Sequence, residues 1–93
     1  MKYIRMRWIH DHRNMPIWLI CELDDQNWEL RKIEIWRDGA KGYADRANSY
    51  GGTGLGSVPI PPFHEIAELR QFELEEISRP AFEAEWDARG ART

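Results

Sequence analysis

Apolar and polar residues alternate along the first part of the chain with the period of two that is typical of β-strands. In residues 3–10 the aliphatic and indole side chains share one side of the predicted strand, with Ile9 as the exception. The opposite side is basic and aromatic and consists of Tyr3, Arg5 and Arg7. Residues 17–23 are apolar on both sides as far as Glu22, which predicts a strand in the centre of a sheet.

Residues 27–44 predict a long strand, a tight turn and a short return strand. The dipeptide Asp38-Gly39 is a strong hairpin signal, because a two-residue type I′ turn requires positive φ at both central positions. We therefore expect a two-residue hairpin at this point.

The alternation within the long strand is interrupted once. Ile33 and Ile35 fall on one side, whereas Trp28 and Leu30 fall on the other. One additional residue near Arg31-Lys32 would bring all four to a common face, so we predict a β-bulge there.

The second half of the chain predicts a loop and two short helices. Residues 45–61 are rich in glycine and proline and predict a loop that crosses from the sheet to the helices. A first helix is expected over about residues 62–70, because Pro61-Pro62 suits a helix start. Residues 71–77 are interpreted as a polar connection.

The second helix is expected over about residues 79–89. Ser78 is a typical N-cap, and Pro80 falls in the first turn, where proline is tolerated. Gly90 should end the helix, and residues 91–93 should fray.

These elements predict a single α+β domain over residues 1–93. An antiparallel meander of about four strands would occupy residues 3–44, and both helices would cover one of its faces. The tryptophans expected in the core are Trp8, Trp28 and Trp86. Trp18 and Trp36 should emerge together on the uncovered face, beside Tyr3, Arg5 and Arg7.

Composition narrows the classes of function. The net charge is −3 and the acidic residues concentrate toward the C-terminus, which disfavours a general phosphate-binding surface. The single cysteine, Cys21, excludes an internal disulfide and is expected to be a buried small hydrophobe. No apolar stretch is long enough to cross a membrane and no secretion signal is recognised, so we expect a cytoplasmic protein without membrane partners.

The run GGTGLG at residues 51–56 resembles a phosphate-binding loop in composition only. Such loops lie between a strand and a helix N-terminus and use a following lysine, but here no lysine follows and prolines intervene. A structural loop is favoured, and a contact loop for a ligand or partner is the alternative.

No catalytic or metal centre can be assigned from spacing. His10 and His12 could lie on one face of a strand, but a third ligand would have to come from His64 or from Asp24-Asp25. Local hydrogen bonding is the better interpretation of each imidazole. We therefore expect no cofactor and no catalytic residue.

The basic and aromatic sheet face is the remaining candidate surface. Such faces bind single-stranded nucleic acid by stacking. Pairing of the arginines with Glu22, Glu29 and Glu34 across strands is the favoured alternative. The candidate ligand- or partner-binding residues are Tyr3, Arg5, Arg7, His10, Trp18, Trp36, Gly52, Thr53 and Gly54.

Several short segments together resemble a family of small, single-domain bacterial proteins of unknown function. In the first half they are Trp8-Ile9-His10-Asp11, Glu22-Leu23-Asp24-Asp25, Trp28-Glu29, Arg31-Lys32-Ile33-Glu34, Asp38-Gly39 and Gly42-Tyr43-Ala44. In the second half they are GGTGLG at 51–56, Pro59-Ile60-Pro61-Pro62, Glu65-Ile66, Ile77-Ser78, Phe82 and Trp86. The resemblance spans about residues 3–86 and implies no assigned activity or site residue. Arg79-Pro80 departs from the acidic first turn expected in that family.

Two functional hypotheses follow. The first is a non-enzymatic protein-binding module, for example an inhibitor of the toxin-immunity or phage-conflict kind. Proteins of that kind are similar to this family in their small size and solitary domain. The second is a small-ligand or nucleotide-binding domain that uses the 51–56 loop and the basic sheet face. Another protein is the expected partner, ahead of nucleic acid.

Overall fold

A computed structural model describes residues 1–90 of the chain. The fraying expected of residues 91–93 lies outside the described residues.

One antiparallel sheet of six strands forms the body of the protein. The strands are β1 (Lys2–Trp8), β2 (Trp18–Leu23), β3 (Glu29–Ile35), β4 (Lys41–Ala44), β5 (Ser49–Tyr50) and β6 (Phe72–Glu76). Their order in the sheet is β5-β4-β3-β2-β1-β6. The helices are α1 (Phe63–Ala67) and α2 (Arg79–Asp87). The α+β class and the antiparallel sheet are thus confirmed, whereas the expected four strands undercount the sheet.

The strands missing from the prediction are β5 and β6. β6 lies in the segment 71–77 that was interpreted as a polar connection. Its Phe72 and Leu74 alternate with glutamates, and its register places Glu73 opposite Arg7 and Glu75 opposite Arg5 on β1. Glutamate has a low intrinsic preference for strands, but cross-strand pairing with arginine offsets that preference here.

The two helices lie on opposite faces of the sheet, so the expectation that both cover one face is wrong. Ile4 packs in one cluster with Phe63 at the start of α1 and with Ile60 of the preceding loop. Tyr3, the neighbour of Ile4 on β1, packs instead in a second cluster with Phe82 of α2. Successive strand residues point to opposite faces, so each helix covers its own side.

The hairpin between β3 and β4 has a three-residue loop rather than the predicted two-residue loop. Trp36 N–H donates to the Ala40 carbonyl at 2.9 Å, and Gly39 N–H donates to the Trp36 carbonyl at 3.0 Å. Gly39 has φ +87°, and Asn27 is the only described non-glycine residue with positive φ, so Asp38 is not left-handed. This is a type I turn followed by a left-handed residue, the usual three-residue solution.

The predicted irregularity in β3 exists, but it lies one residue before Arg31-Lys32. Glu22 is opposite Arg31 and Leu23 is opposite Glu29, which leaves Leu30 without a partner. Trp28 stands just before β3 and is 39% exposed, so its assignment to the core is wrong.

The start of α2 follows the prediction. Ser78 is the N-cap, and its hydroxyl accepts from Ala81 N–H at 3.2 Å. Ile77, which precedes the cap, packs against the cluster that contains Phe82. α1 is shorter than predicted and buries Ile66.

Candidate functional site

Three adjacent strands bring three of the predicted aromatic and basic residues together. Because the order is β2-β1-β6, the register sets Trp18, Arg7 and Glu73 in one row across the sheet. Arg5 and Glu75 face each other two residues further along. These five side chains line an open groove, which we call the Trp18 groove.

The Trp18 groove is the part of its sheet face that α2 leaves uncovered. α2 covers the neighbouring part, where Phe82 is fully buried with Ile20 and Ile33. The Tyr3 ring is 5.3 Å from that of Phe82 and is therefore used in packing α2 rather than in the groove.

Charges in the groove are paired but exposed. Arg5 Nη2 lies 3.0 Å from Glu75 Oε1, and these side chains are 43% and 60% exposed. Arg7 Nη1 lies 3.8 Å from Glu73 Oε1, again between exposed side chains. The Arg5 guanidinium is 5.8 Å from the centre of the Trp18 ring, in cation–π range. Exposed pairs contribute only about 0–1 kcal/mol, so an incoming charged group can replace either partner.

Arg31, which lies on the same sheet face as Arg5 and Arg7, has a structural role. Arg31 donates two hydrogen bonds to Glu22, at 2.7 and 2.9 Å, and two to Glu83 of α2, at 2.8 and 3.1 Å. Its guanidinium also lies 4.8 Å from the ring of Phe82. The hydrogen bonds from Arg31 hold the pKa of both carboxyls below their usual values. Arg31 thereby fixes α2 to the sheet and is not available to a ligand.

The 51–56 loop is bound to the sheet face opposite the Trp18 groove. Thr53 is buried, and its hydroxyl donates to Glu34 Oε1 at 2.7 Å. Gly56 N–H donates to Glu29 Oε1. Gly52 and Gly54 are exposed along the same loop.

A lysine partly compensates the two carboxylates beneath that loop. Lys32 Nζ lies 3.3 Å from Glu29 Oε2 and 3.9 Å from Glu34 Oε2, and all three side chains are at most 13% exposed. A phosphate on this loop would meet two nearby carboxylates, so the contacts favour the structural interpretation of GGTGLG.

His10 has both ring nitrogens in hydrogen bonds. His12 N–H donates to His10 Nδ1 at 2.9 Å, so Nε2 carries the proton and donates to the Pro16 carbonyl at 2.8 Å. Among residues 1–90, no three His, Cys, Asp or Glu side chains gather as a metal site. His64 lies apart, in a shallow groove with Lys2.

Trp36 does not join Trp18 on the uncovered face, which corrects that part of the prediction. Ile35, its neighbour on β3, is opposite Trp18 in the sheet register. Trp36 therefore falls out of phase with Trp18, just beyond the end of β3. Its indole N–H donates to the Asn14 carbonyl at 3.1 Å.

Of the predicted binding residues, the structure brings together Arg5, Arg7 and Trp18. The glutamates that complete the groove were missed because residues 71–77 were interpreted as a connection. The alternation of Phe72 and Leu74 with Glu73 and Glu75 was the signal that could have identified β6.

No helix within residues 1–90 has the length and apolar character needed to span a membrane.

A family model described as "Domain of unknown function (DUF6881)" matches residues 2–91. The chain therefore belongs to this family. Comparison with curated proteins gave no match, and comparison with solved structures gave none either.

Proposed function

We propose that this member of the DUF6881 family is a non-enzymatic protein-binding module that contacts its partner through the Trp18 groove. The observation that carries the proposal is an indole beside two arginines on a sheet face that α2 leaves open. Tryptophan and arginine are the residues most enriched at the energetic centres of protein interfaces.

Electrostatics favour a protein over a nucleic acid as the partner. Glu75 and Glu73 neutralise Arg5 and Arg7, so the groove offers no excess of positive charge to a phosphate backbone. A protein surface that carries both signs of charge can exchange with these pairs at small cost.

The alternative is a small-ligand or nucleotide-binding domain. The two surfaces that such a domain would use, the 51–56 loop and the Trp18 groove, lie on opposite faces of the sheet. Thr53 of the loop contacts Glu34 on one face, and the Trp18 groove opens on the other. A nucleotide library in a thermal-shift assay tests this alternative, because a ligand at one hundred times its Kd adds about 2.7 kcal/mol of stability. A strong nucleotide response would favour the alternative over the protein-binding proposal.

An inhibitor of the immunity or phage-conflict kind is one form that such a module takes, since a compact single-domain binder can mask the active surface of a larger partner. We place this activity in the cytoplasm, where a single reduced Cys21 is expected.

Site-specific photo-crosslinking in living source cells tests the proposal. A benzophenone amino acid in place of Arg7 stands in the groove, and one in place of Arg46 is a matched exposed control at the far side of the sheet. We expect a discrete protein adduct from position 7 that is absent from position 46 and is reduced by Trp18→Ala. Equal adducts at both positions, or none at position 7, would contradict a binding role for the groove.

A further inference from the structure

β6 is an edge strand of the sheet, and its side that faces away from β1 pairs with no other strand within residues 1–90. Ile77 N–H donates to a β1 carbonyl at 2.9 Å, and the Gln71 carbonyl accepts from the residue after β1 at 2.7 Å. The odd-numbered residues of this segment therefore face β1. Because bonding direction alternates along an antiparallel strand, the N–H and C=O groups of Leu74 and Glu76 point outward.

α1 covers only the beginning of this edge. Phe72 N–H donates to the Leu69 carbonyl at 3.3 Å, in the turn that follows α1. Within residues 1–90, no hydrogen bond satisfies the outward groups of Leu74 and Glu76. The edge beside the Trp18 groove thus offers two residues with free backbone donors and acceptors.

The surroundings of the edge are acidic. The carboxylates in and next to β6 are Glu65, Glu68, Glu73, Glu75 and Glu76. Arg5 and Arg7 pair with Glu75 and Glu73. Arg70 is the single basic residue between positions 65 and 76, so five carboxylates face three arginines here. Two copies of β6 that paired with each other would place glutamates opposite glutamates, so the charge disfavours a second copy of this chain as the occupant.

We infer that an extended basic segment of a partner protein adds to β6 as a further antiparallel strand. This inference rests on the proposed function and names the partner's contribution: backbone pairing at the edge, continuous with the Trp18 groove. Strand addition draws its affinity from main-chain hydrogen bonds and its specificity from alternate side chains.

The face alternation of β6 specifies the pattern of the segment. Glu73 and Glu75 point to the face of the Trp18 groove, and lysine or arginine on the added strand would lie beside them. Leu74 points to the other face and packs against the cluster of Ile4, where an apolar residue of the partner fits. The recognised chemistry is therefore an alternation of basic and β-branched residues.

The test uses a blocked synthetic peptide, Lys-Val-Lys-Val-Lys, with the whole protein under NMR. A control peptide replaces both valines by proline, which keeps every charge and removes the N–H groups that would face β6. We expect the valine peptide to shift the resonances of residues 72–76, to slow amide exchange at Leu74 and Glu76, and to bind at least tenfold more tightly than the proline peptide.

Variants of the protein make the same distinction. Glu76→Pro removes an outward N–H that the fold does not use, whereas Glu76→Gln keeps it and removes the same charge. We expect Glu76→Pro to weaken binding of the valine peptide at least fivefold more than Glu76→Gln does.

Equal affinity for the two peptides, unchanged exchange at Leu74 and Glu76, or absence of binding would overturn the inference, as would a dimer through β6 without peptide. In that case the glutamates of β6 would serve only to protect its open edge from aggregation. If photo-crosslinked adducts form at position 7 although the peptide does not bind, the proposed function is retained and only strand addition is rejected.

Discussion

A single left-handed residue closes each of two tight hairpins of the sheet. Gly39 has φ +87° between β3 and β4, and Asn27 has φ +68° between β2 and β3. In both turns an aspartate lies ahead of the left-handed residue and accepts a backbone N–H two residues on, Asp38 from Ala40 and Asp24 from Gln26, each at 2.9 Å. Turn chemistry at these positions is readable from the sequence, although the loop length is not.

Gly39→Val should destabilise the protein by about 1–2 kcal/mol, because a β-branched residue resists positive φ. An added Cβ at Gly39 would meet no atom within 4 Å, so the whole cost is one of backbone conformation. Urea unfolding measures the loss in the free energy of unfolding. Gly39→Asn is the control, because asparagine tolerates the left-handed region. A loss for Gly39→Val of less than about 0.5 kcal/mol would contradict this account.

Glu22→Gln should lower the free energy of unfolding by about 1–3 kcal/mol at pH 7, because a carboxylate that accepts two hydrogen bonds from Arg31 is lost. The pKa of Glu22 is depressed in the folded state, chiefly by those bonds. Its stabilisation is therefore complete above the ordinary glutamate pKa of about 4.3 and disappears as the pH falls through the folded value.

The difference between wild type and Glu22→Gln should accordingly shrink below about pH 4 in a series of urea titrations. Glu68→Gln, at an exposed position just after α1, serves as the control. A difference that stays constant with pH would show that Glu22 acts through packing rather than through its charge.

Elements were predictable from sequence where a local signal specifies them. α2 begins at its Ser78 cap, and β1 follows its alternation. β6 carries a local alternation that could have identified it as a strand, but its pairing with Arg5 and Arg7 spans most of the chain, and no local pattern specifies a partner that distant. The two ion pairs supply four of the five side chains of the Trp18 groove, so the site was only partly predictable for the same reason.

The 51–56 loop requires glycine at the strand beneath it. An added Cβ at Gly42 would overlap Thr53 Oγ1 and would lie 3.0 Å from the Gly51 carbonyl. Thr53 cannot move aside freely, because it is buried and its hydroxyl is bound to Glu34.

Gly42→Ala should therefore cost about 1–3 kcal/mol, the usual penalty for overpacking. Gly54→Ala is the matched control, since its Cβ would meet nothing within 4 Å. Urea unfolding of the two variants should separate them clearly. Similar losses in both would mean that the loop is not seated on β4 as described.

At the scale of the whole molecule, each face of the sheet has its own cover, α2 on one side and α1 with the preceding segment on the other. The sequence predicts one open face, because two short helices are expected to cover only one side of the sheet. The segment before α1 supplies the missing cover, with Ile60 packed against the cluster of Ile4. A loop that packs on the sheet through long-range contacts gives no periodic signal, which is why its contribution could not be predicted.

Iodide quenching should identify Trp28 as the most accessible indole, since it is 39% exposed and the other four tryptophans are half-buried. Trp28→Phe should remove the largest share of quenchable emission, and Trp18→Phe should remove a smaller but measurable share. Complete shielding of Trp18 would show that the Trp18 groove is closed and would count against its proposed role.

The place of β1 between β2 and β6 has a consequence for biosynthesis. Strands β2 to β5 each pair with the strand that precedes them, but β6 returns to β1, so that Arg5 and Glu75 pair across 70 positions. Contacts so distant in sequence form slowly and late. A nascent chain that has not yet reached residue 72 can complete the hairpins while β1 keeps an unpaired edge. Until translation supplies β6, that edge is a template on which a neighbouring nascent chain could form the wrong sheet.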